Sequence, residues 1–142
     1  MTYLDTGCFV KLYYPEPESG QVIALLQGKP ISFTPLHELE FVNALQLKIF
    51  TKSATTAQVT AARALVEADL QSGVLVSAAN EWKDIFQNAA KLAERHSARI
   101  GCRSLDVLHC ATAKVLAVTE FISTDIRQKK LATAMGLNLV TF

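Results

Sequence analysis

The sequence is poor in several features that would narrow its role at once. Only three of its 142 residues are cysteine, Cys8, Cys102 and Cys110, and no two of them form a Cys-x-x-Cys pair. The spacing of a structural zinc site is therefore missing. An odd number of thiols set in apolar stretches is expected to be buried, free and reduced. No apolar run approaches the ~18 residues of a membrane span. The N-terminus also lacks the basic segment and long apolar stretch of a secretory signal. A cytoplasmic protein with no membrane attachment is the expectation. Net charge is scarce as well. A formal charge of +1 supplies no bulk attraction to nucleic acid, although a neutral protein can still carry a local basic rim. No internal repeat, low-complexity tract or linker interrupts the chain.

What is present is an ordinary globular composition, half apolar and 19% charged, long enough for one domain with a real core, spanning residues 1–142. Tyr3-Leu4 reads as a strand ending at Asp5, and a helix is expected over 8–14, halted before Pro15. A second short helix follows over 21–27, then a strand over 31–33. Thr34-Pro35 is a helix start with an N-cap residue and proline at the first helical position. The helix it opens runs to Phe50 and is apolar on more than one face, so burial on more than one side is expected, part of it by another subunit. An amphipathic helix that begins in Ala54-Thr55-Thr56 is closed by Ser72-Gly73 and is followed by a strand over 74–76. A helix over 81–96 should turn Trp82, Ile85, Phe86, Ala89, Leu92 and Ala93 inward. Residues 99–103 read as a loop, and 104–118 as the most apolar helix of the chain. A strand over 120–123, a helix over 125–135 stopped by Gly136, and a strand over 137–140 complete the pattern. Short apolar strands alternating with helices predict an α/β fold, a parallel sheet with helices on both faces.

Most acids have an ordinary place in turns or on polar helix faces, but four do not. Asp5 and Asp125 each end a strand and open a helix, where a carboxylate serves either as an N-cap or as a ligand at the carboxyl edge of a parallel sheet. Asp106 lies near a helix start, where the dipole favours an anion. Its neighbours Leu105, Val107, Leu108 and Ala111 imply little exposed surface, and a buried charge is costly unless paired, hydrogen-bonded or metal-bound. Glu38 and Glu40 sit in the buried helix about 200° apart, so only one of them looks into any one site, and periodicity does not choose. Carboxylates that converge repel one another unless a cation neutralises them. With oxygen donors and no suitable His/Cys set, that cation is a hard one, Mg²⁺ or Mn²⁺. Asn43 lies three residues after Glu40 and His109 three after Asp106, each on its acid's helical face. Asn43 could orient a carboxylate or a water; His109 could touch substrate, hold Asp106, or be a satisfied core histidine. Thr6, Ser123 and Thr124 place hydroxyls beside the strand-end acids.

These residues resemble the PIN-domain ribonucleases, and among them the VapC-type toxins of prokaryotic toxin–antitoxin pairs. The likeness spans nearly the whole chain. It rests on Tyr3-Leu4-Asp5-Thr6 with Val10-Lys11-Leu12-Tyr13, on Glu40-Phe41-Val42-Asn43-Ala44-Leu45, on Leu105-Asp106-Val107-Leu108-His109-Cys110-Ala111-Thr112-Ala113, and on Phe121-Ile122-Ser123-Thr124-Asp125. The resemblance implies a PIN-like three-layer α/β/α sandwich with a mainly parallel sheet of about four to five strands. It selects Glu40 over Glu38, because the family's acid precedes an apolar-x-x-Ala-Leu run. It implies that Asp5, Glu40, Asp106 and Asp125 form an acidic site for Mg²⁺ or Mn²⁺, with Asp5 and Asp106 the principal ligands. The implied reaction is hydrolysis of RNA phosphodiester bonds by metal-activated water, with Arg103, Arg127, Lys129, Lys130 and Lys11 as candidate contacts to the RNA backbone. A homodimer and a cognate antitoxin covering the site are implied too. One departure is Gly7, where the family often carries serine. Two rivals stand beside this reading. An aspartyl phosphotransferase would use Asp5 as nucleophile but wants a second acid two residues on, where this chain has Gly7. A non-catalytic nucleic-acid-binding or scaffolding protein would have no reason to keep four acids together.

Overall fold

The computed structural model describes residues 1–78 and 81–142. Its sheet has five parallel strands, β1 (Thr2–Leu4), β2 (Ile31–Phe33), β3 (Leu75–Ser77), β4 (Glu120–Ile122) and β5 (Leu139–Val140), in the order β3-β2-β1-β4-β5. Helices α1 (Thr6–Tyr13), α2 (Ser19–Leu26), α3 (Pro35–Phe50) and α4 (Thr56–Ser72) connect β1 to β2 and β2 to β3, while α5 (Trp82–Ile100) and α6 (Ser104–Val115) lead to β4 and α7 (Ile126–Ala134) to β5. Side chains alternate across a strand, and here the alternation divides two cores. Leu4 and Ile122 pack with Phe9, Val22, Phe41, Leu45 and Val59 from α1 to α4. Tyr3 and Phe121 pack with Ile85, Leu92, Val107, Ala111 and Leu131 from α5 to α7. This is the three-layer α/β/α arrangement, with its sheet parallel throughout.

The order of the strands positions the site. From β1 the chain winds outward to β2 and β3; from β4 it winds the other way to β5. β1 and β4 are neighbours in register, Leu4 opposite Ile122, so the direction of winding reverses between their carboxyl ends. A crevice opens at such a switch point, and Asp5 and Asp125 leave the sheet there.

Several boundaries differ from the sequence expectation, each for a local reason. α1 starts at Thr6 because Asp5 caps it, its carboxylate accepting from the backbone N–H of Cys8. α2 starts at Ser19, two residues before the expected helix over 21–27, and ends at Leu26. α5 continues through Arg99 and Ile100 until Gly101 takes φ +76° and ends it, so those two residues are helical, not looped. Phe86 is 58% exposed, because it stands about 100° away from the stripe formed by Ile85, Ala89, Leu92 and the buried His96. α6 ends at Val115, three residues early, and β3 lies one residue later than expected. α3 begins as predicted: Thr34 caps it and reciprocates with His37, three residues on. It buries Leu36, His37, Phe41 and Leu45, yet leaves Leu39, Leu47 and Phe50 exposed, so among the described residues nothing covers a second side of it. Among the described residues no helix is long and apolar enough to cross a membrane.

Candidate active site

Asp5, Glu40, Asp106 and Asp125 line one cleft of about 370 Å³, together with Thr6, Gly7, Arg103, Leu105, His109, Thr124 and Gln128. The four acids come from the end of β1, the second turn of α3, the first turn of α6 and the end of β4. Glu38 is exposed and lies outside the cleft, whereas Glu40 is half-buried within it.

Asp5 is buried, and both its oxygens are held. Oδ1 accepts from the N–H of Cys8 at 2.7 Å, and Oδ2 accepts from the Ser123 hydroxyl. The same Ser123 oxygen accepts the backbone N–H of Asp125 at 3.0 Å, so one hydroxyl ties the two strand-end acids together. Asp125 caps α7 through Oδ1, which accepts from the N–H groups of Arg127 and Gln128 at 2.8 and 3.0 Å. The sequence placed Asp125 within that helix; capping moves it to the rim, with Oδ2 turned to the guanidinium of Arg103 at 3.3 Å.

Asp106 is buried at the third position of α6. It accepts from the backbone N–H and the Nε of Arg103 at 3.0 and 3.1 Å, and from Gln128 Nε2 at 3.2 Å. Burial alone would raise its pKa, but the Arg103 and Gln128 hydrogen bonds outweigh it and hold the carboxyl below its ordinary value. Arg103 therefore bridges Asp106 and Asp125 with a positive charge, and its side chain is 65% exposed. Leu105 is 47% exposed at the cleft mouth, contrary to the buried setting its sequence neighbourhood suggests. It stands one residue before the buried run that begins at Asp106.

Glu40 belongs to a different network. Its Oε2 accepts from Thr6 Oγ1 at 2.6 Å and from His109 Nε2 at 2.5 Å. His109 is fully buried, and its Nδ1 meets the hydroxyl of Tyr3 at 2.9 Å. Burial raises the Tyr3 pKa far above its ordinary value, so the phenol keeps its proton and donates to Nδ1, leaving Nε2–H to donate to Glu40. Burial pushes Glu40 up as well, but His109 and Thr6 together hold it below the usual carboxylate value. His109 thus serves Glu40, 69 residues away in sequence, and not Asp106 on its own helix.

Asn43 faces an adjoining groove of about 630 Å³, lined also by Val10, Ala44, Leu47, Lys48 and Leu105. It shares the side of α3 with Glu40 but is not brought against the other acids. Thr124 lines the cleft, its hydroxyl 3.7 Å from where a Cβ on Gly7 would stand. Tyr3 and Gln128 are the site residues that spacing did not single out. Gln128 had a signal, since it lies three residues after Asp125 on the same helical face; Tyr3 had none, because a tyrosine in a strand reads as core.

Among the described residues no three His, Cys, Asp or Glu side chains stand close enough to hold one metal ion in this arrangement. The donor chemistry nonetheless fits a hard cation. Every acid contributes oxygen, the charge between Asp106 and Asp125 is already met by a cationic side chain, and Gln128 Oε1 is buried beside Asp106 without a hydrogen-bond partner among the described residues.

A PIN-domain family model matches residues 2–134. The chain belongs to the PIN-domain family. Solved PIN-like structures share its fold at low sequence identity. The toxin VapC20 of Mycobacterium tuberculosis, described as cleaving the Sarcin-Ricin loop, is 17% identical with a TM-score of 0.68, over 96% of each chain. VapBC2 of Rickettsia felis, bound to a DNA fragment from its promoter, is 16% identical with a TM-score of 0.66, over 100% of this chain and 99% of its own. FitAcB of Neisseria gonorrhoeae is 16% identical with a TM-score of 0.61, over 99% and 97%. No curated protein matches the sequence. In this PIN domain the cleft at the β1/β4 switch point carries the acids.

Proposed function

We propose that this protein is a Mg²⁺- or Mn²⁺-dependent endoribonuclease and the toxin of a toxin–antitoxin pair. The observation that carries the reading is the meeting of Asp5, Glu40, Asp106 and Asp125 in one cleft at the sheet's switch point. The family membership supports it, and one structural neighbour is described as a Sarcin-Ricin loop cleaving toxin.

Asp5 and Asp106 would be the principal ligands, with Glu40 and Asp125 holding a second ion or its waters. A divalent ion bound there supplies Lewis acidity toward the phosphodiester and lowers the pKa of a water to near neutrality. The chain's own residues supply position. Ser123 and the α1 N-terminus fix the orientation of Asp5. Tyr3, His109 and Thr6 fix Glu40 and keep it ionised. Arg103, exposed and paired with two of the acids, is free to exchange those carboxylates for a substrate phosphate when a metal takes up their charge. The Gln128 amide oxygen offers one more donor beside Asp106.

The same reading includes an antitoxin and a homodimer. α3 and α4 expose Leu39 (69%), Leu47 (53%), Phe50 (82%) and Leu65 (55%), apolar surface of the kind that protein partners cover. Free Cys8, Cys102 and Cys110 accord with action in the reducing cytoplasm.

Asp5→Asn tests the chemistry. The variant should fold as wild type by circular dichroism and lose Mn²⁺-dependent cleavage of RNA by at least ~100-fold. Undiminished cleavage would remove Asp5 from the site. A Mn²⁺ titration separates this reading from a non-catalytic scaffold, which would bind no ion through these acids.

A further inference from the structure

A second pocket, of about 510 Å³, lies between the end of α5 and the outer side of α7, lined by Arg99, Ile100, Lys129, Lys130, Thr133 and Ala134. Three of its six lining residues are cations and none is an acid. Among the described residues no salt bridge engages Arg99, Lys129 or Lys130, whereas Lys11, Lys29, Lys48 and Arg103 are all paired. Three uncompensated charges around a concave surface, with Ile100 and Ala134 as apolar lining, make a site for an anion with several acceptor oxygens.

Its position relative to the acidic cleft is set by the backbone. α7 is capped by Asp125, which lines the cleft at its rim, and Lys129 and Lys130 lie roughly 6–8 Å further along the helix axis. The segment from Arg99 through Gly101 to Arg103 joins the pocket to the same cleft from the other side. Arg127, exposed and also in no salt bridge among the described residues, lies on the first turn of α7 between cleft and pocket. The charge is regional: residues 81–142 hold nine of the fourteen Lys and Arg but six of the thirteen acids.

We infer that the Arg99–Lys129–Lys130 pocket is a phosphate subsite that holds the RNA strand beyond the scissile bond, directing it out of the cleft over α7. The inference rests on the ribonuclease reading and adds to it a direction for the substrate and a residue, Arg99, outside the family motifs. The four acids repel a polyanion, so affinity for the strand has to come from a neighbouring surface, and this pocket is a basic one contiguous with the cleft through two chain segments.

The test is equilibrium binding of a fluorescent single-stranded oligoribonucleotide of about ten nucleotides, in EDTA so that no strand is cut. The triple variant Arg99→Ala/Lys129→Ala/Lys130→Ala should bind at least ~10-fold more weakly than wild type, and its log K against log salt should be shallower by about 2, the release expected for three phosphate contacts on a single strand. A control variant, Lys52→Ala/Arg63→Ala/Lys83→Ala, removes the same charge elsewhere and should leave both quantities near wild type. The defect should shrink as the RNA is shortened and vanish for a dinucleotide. Equal losses in the two triple variants, or an unchanged salt slope in the first, would overturn the subsite; so would a wild-type protein that binds no RNA. RNA binding that depends on the pocket, in a protein that cuts no RNA with Mn²⁺ present, would keep the subsite and reject the nuclease reading.

Discussion

Asp5 and Asp125 each give one carboxylate oxygen to capping the helix that follows, while the other accepts from a side chain, Ser123 for Asp5 and Arg103 for Asp125. Capping and a place in the cleft are therefore not alternatives for these residues: the cap fixes the orientation of the whole carboxylate. His37 shows a different use of a polar group at this scale. It is fully buried, its Nε2 lies 2.8 Å from the carbonyl of Leu4, and its Nδ1 accepts from the N–H and hydroxyl of Thr34. Every contact suits the neutral ring. Burial and the proximity of His109 lower its pKa to about 3. The unfolded chain takes up a proton near pH 6.5 and the native state does not until about pH 3, so the native state loses stability as pH falls through that window. This single group should cost roughly 2–3 kcal/mol by pH 4.5. Urea denaturation from pH 7 to 4.5 checks it. His37→Gln should be less stable at pH 7 and show a shallower decline with acid; a parallel decline in the two proteins would mean that His37 is not the group responsible.

α1 is the element on which the cleft's local precision depends, and it carries a glycine in its first turn. Gly7 has an ordinary helical φ, and a Cβ there would stand 3.5 Å from Asp5 Oδ1 and 3.7 Å from Thr124 Oγ1, at van der Waals contact. The β-carbon of a serine therefore fits there at ordinary contact. Gly7→Ser should raise stability by roughly 0.5 kcal/mol through helix propensity, read as a higher urea midpoint at unchanged m-value. A lowered midpoint would show that the added side chain disturbs Asp5. α6 is the second such element: Arg103, Asp106 and Gln128 hold its first turn against α7, which is why two acids 19 residues apart in sequence share one guanidinium.

On the scale of the whole molecule, α3 and α4 expose the apolar side chains Leu39, Leu47, Phe50 and Leu65, while the cations of the second pocket belong to α5 and α7. A dimer through α3 would leave that pocket open. Sedimentation velocity at micromolar concentration should find the wild type dimeric and Leu39→Asp/Phe50→Asp monomeric with unchanged circular dichroism. A monodisperse wild-type monomer would place the partner surface elsewhere or reserve it for the antitoxin.

Much of this was legible in the sequence because it is local. Strand-end acids, the Thr34-Pro35 helix start and the glycine stops at Gly73 and Gly136 are decided by residues within one turn of each other, and alternating strands and helices dictate a layered α/β fold. Asp5, Asp106 and Asp125 could be named because each sits where its element begins or ends, whereas Glu40, inside α3, was named through the family motif. Other facts needed the folded chain. That Glu40 faces the cleft and Glu38 faces solvent depends on the rotation of α3 against the sheet, which periodicity leaves open when a helix is apolar on several sides; Glu40 was singled out only by the family resemblance. His109 pairs with Glu40 and Tyr3, not with Asp106, because strand order brings β1 and α3 to α6, and no spacing along the chain contains that order. Arg103 between two acids, the unpartnered oxygen of Gln128 and the pocket that unites Arg99 with Lys129 and Lys130 are likewise contacts between distant segments. Sequence determined which groups the protein has and how each begins its element; tertiary structure decided which of them meet, because burial and charge act through space and not along the chain.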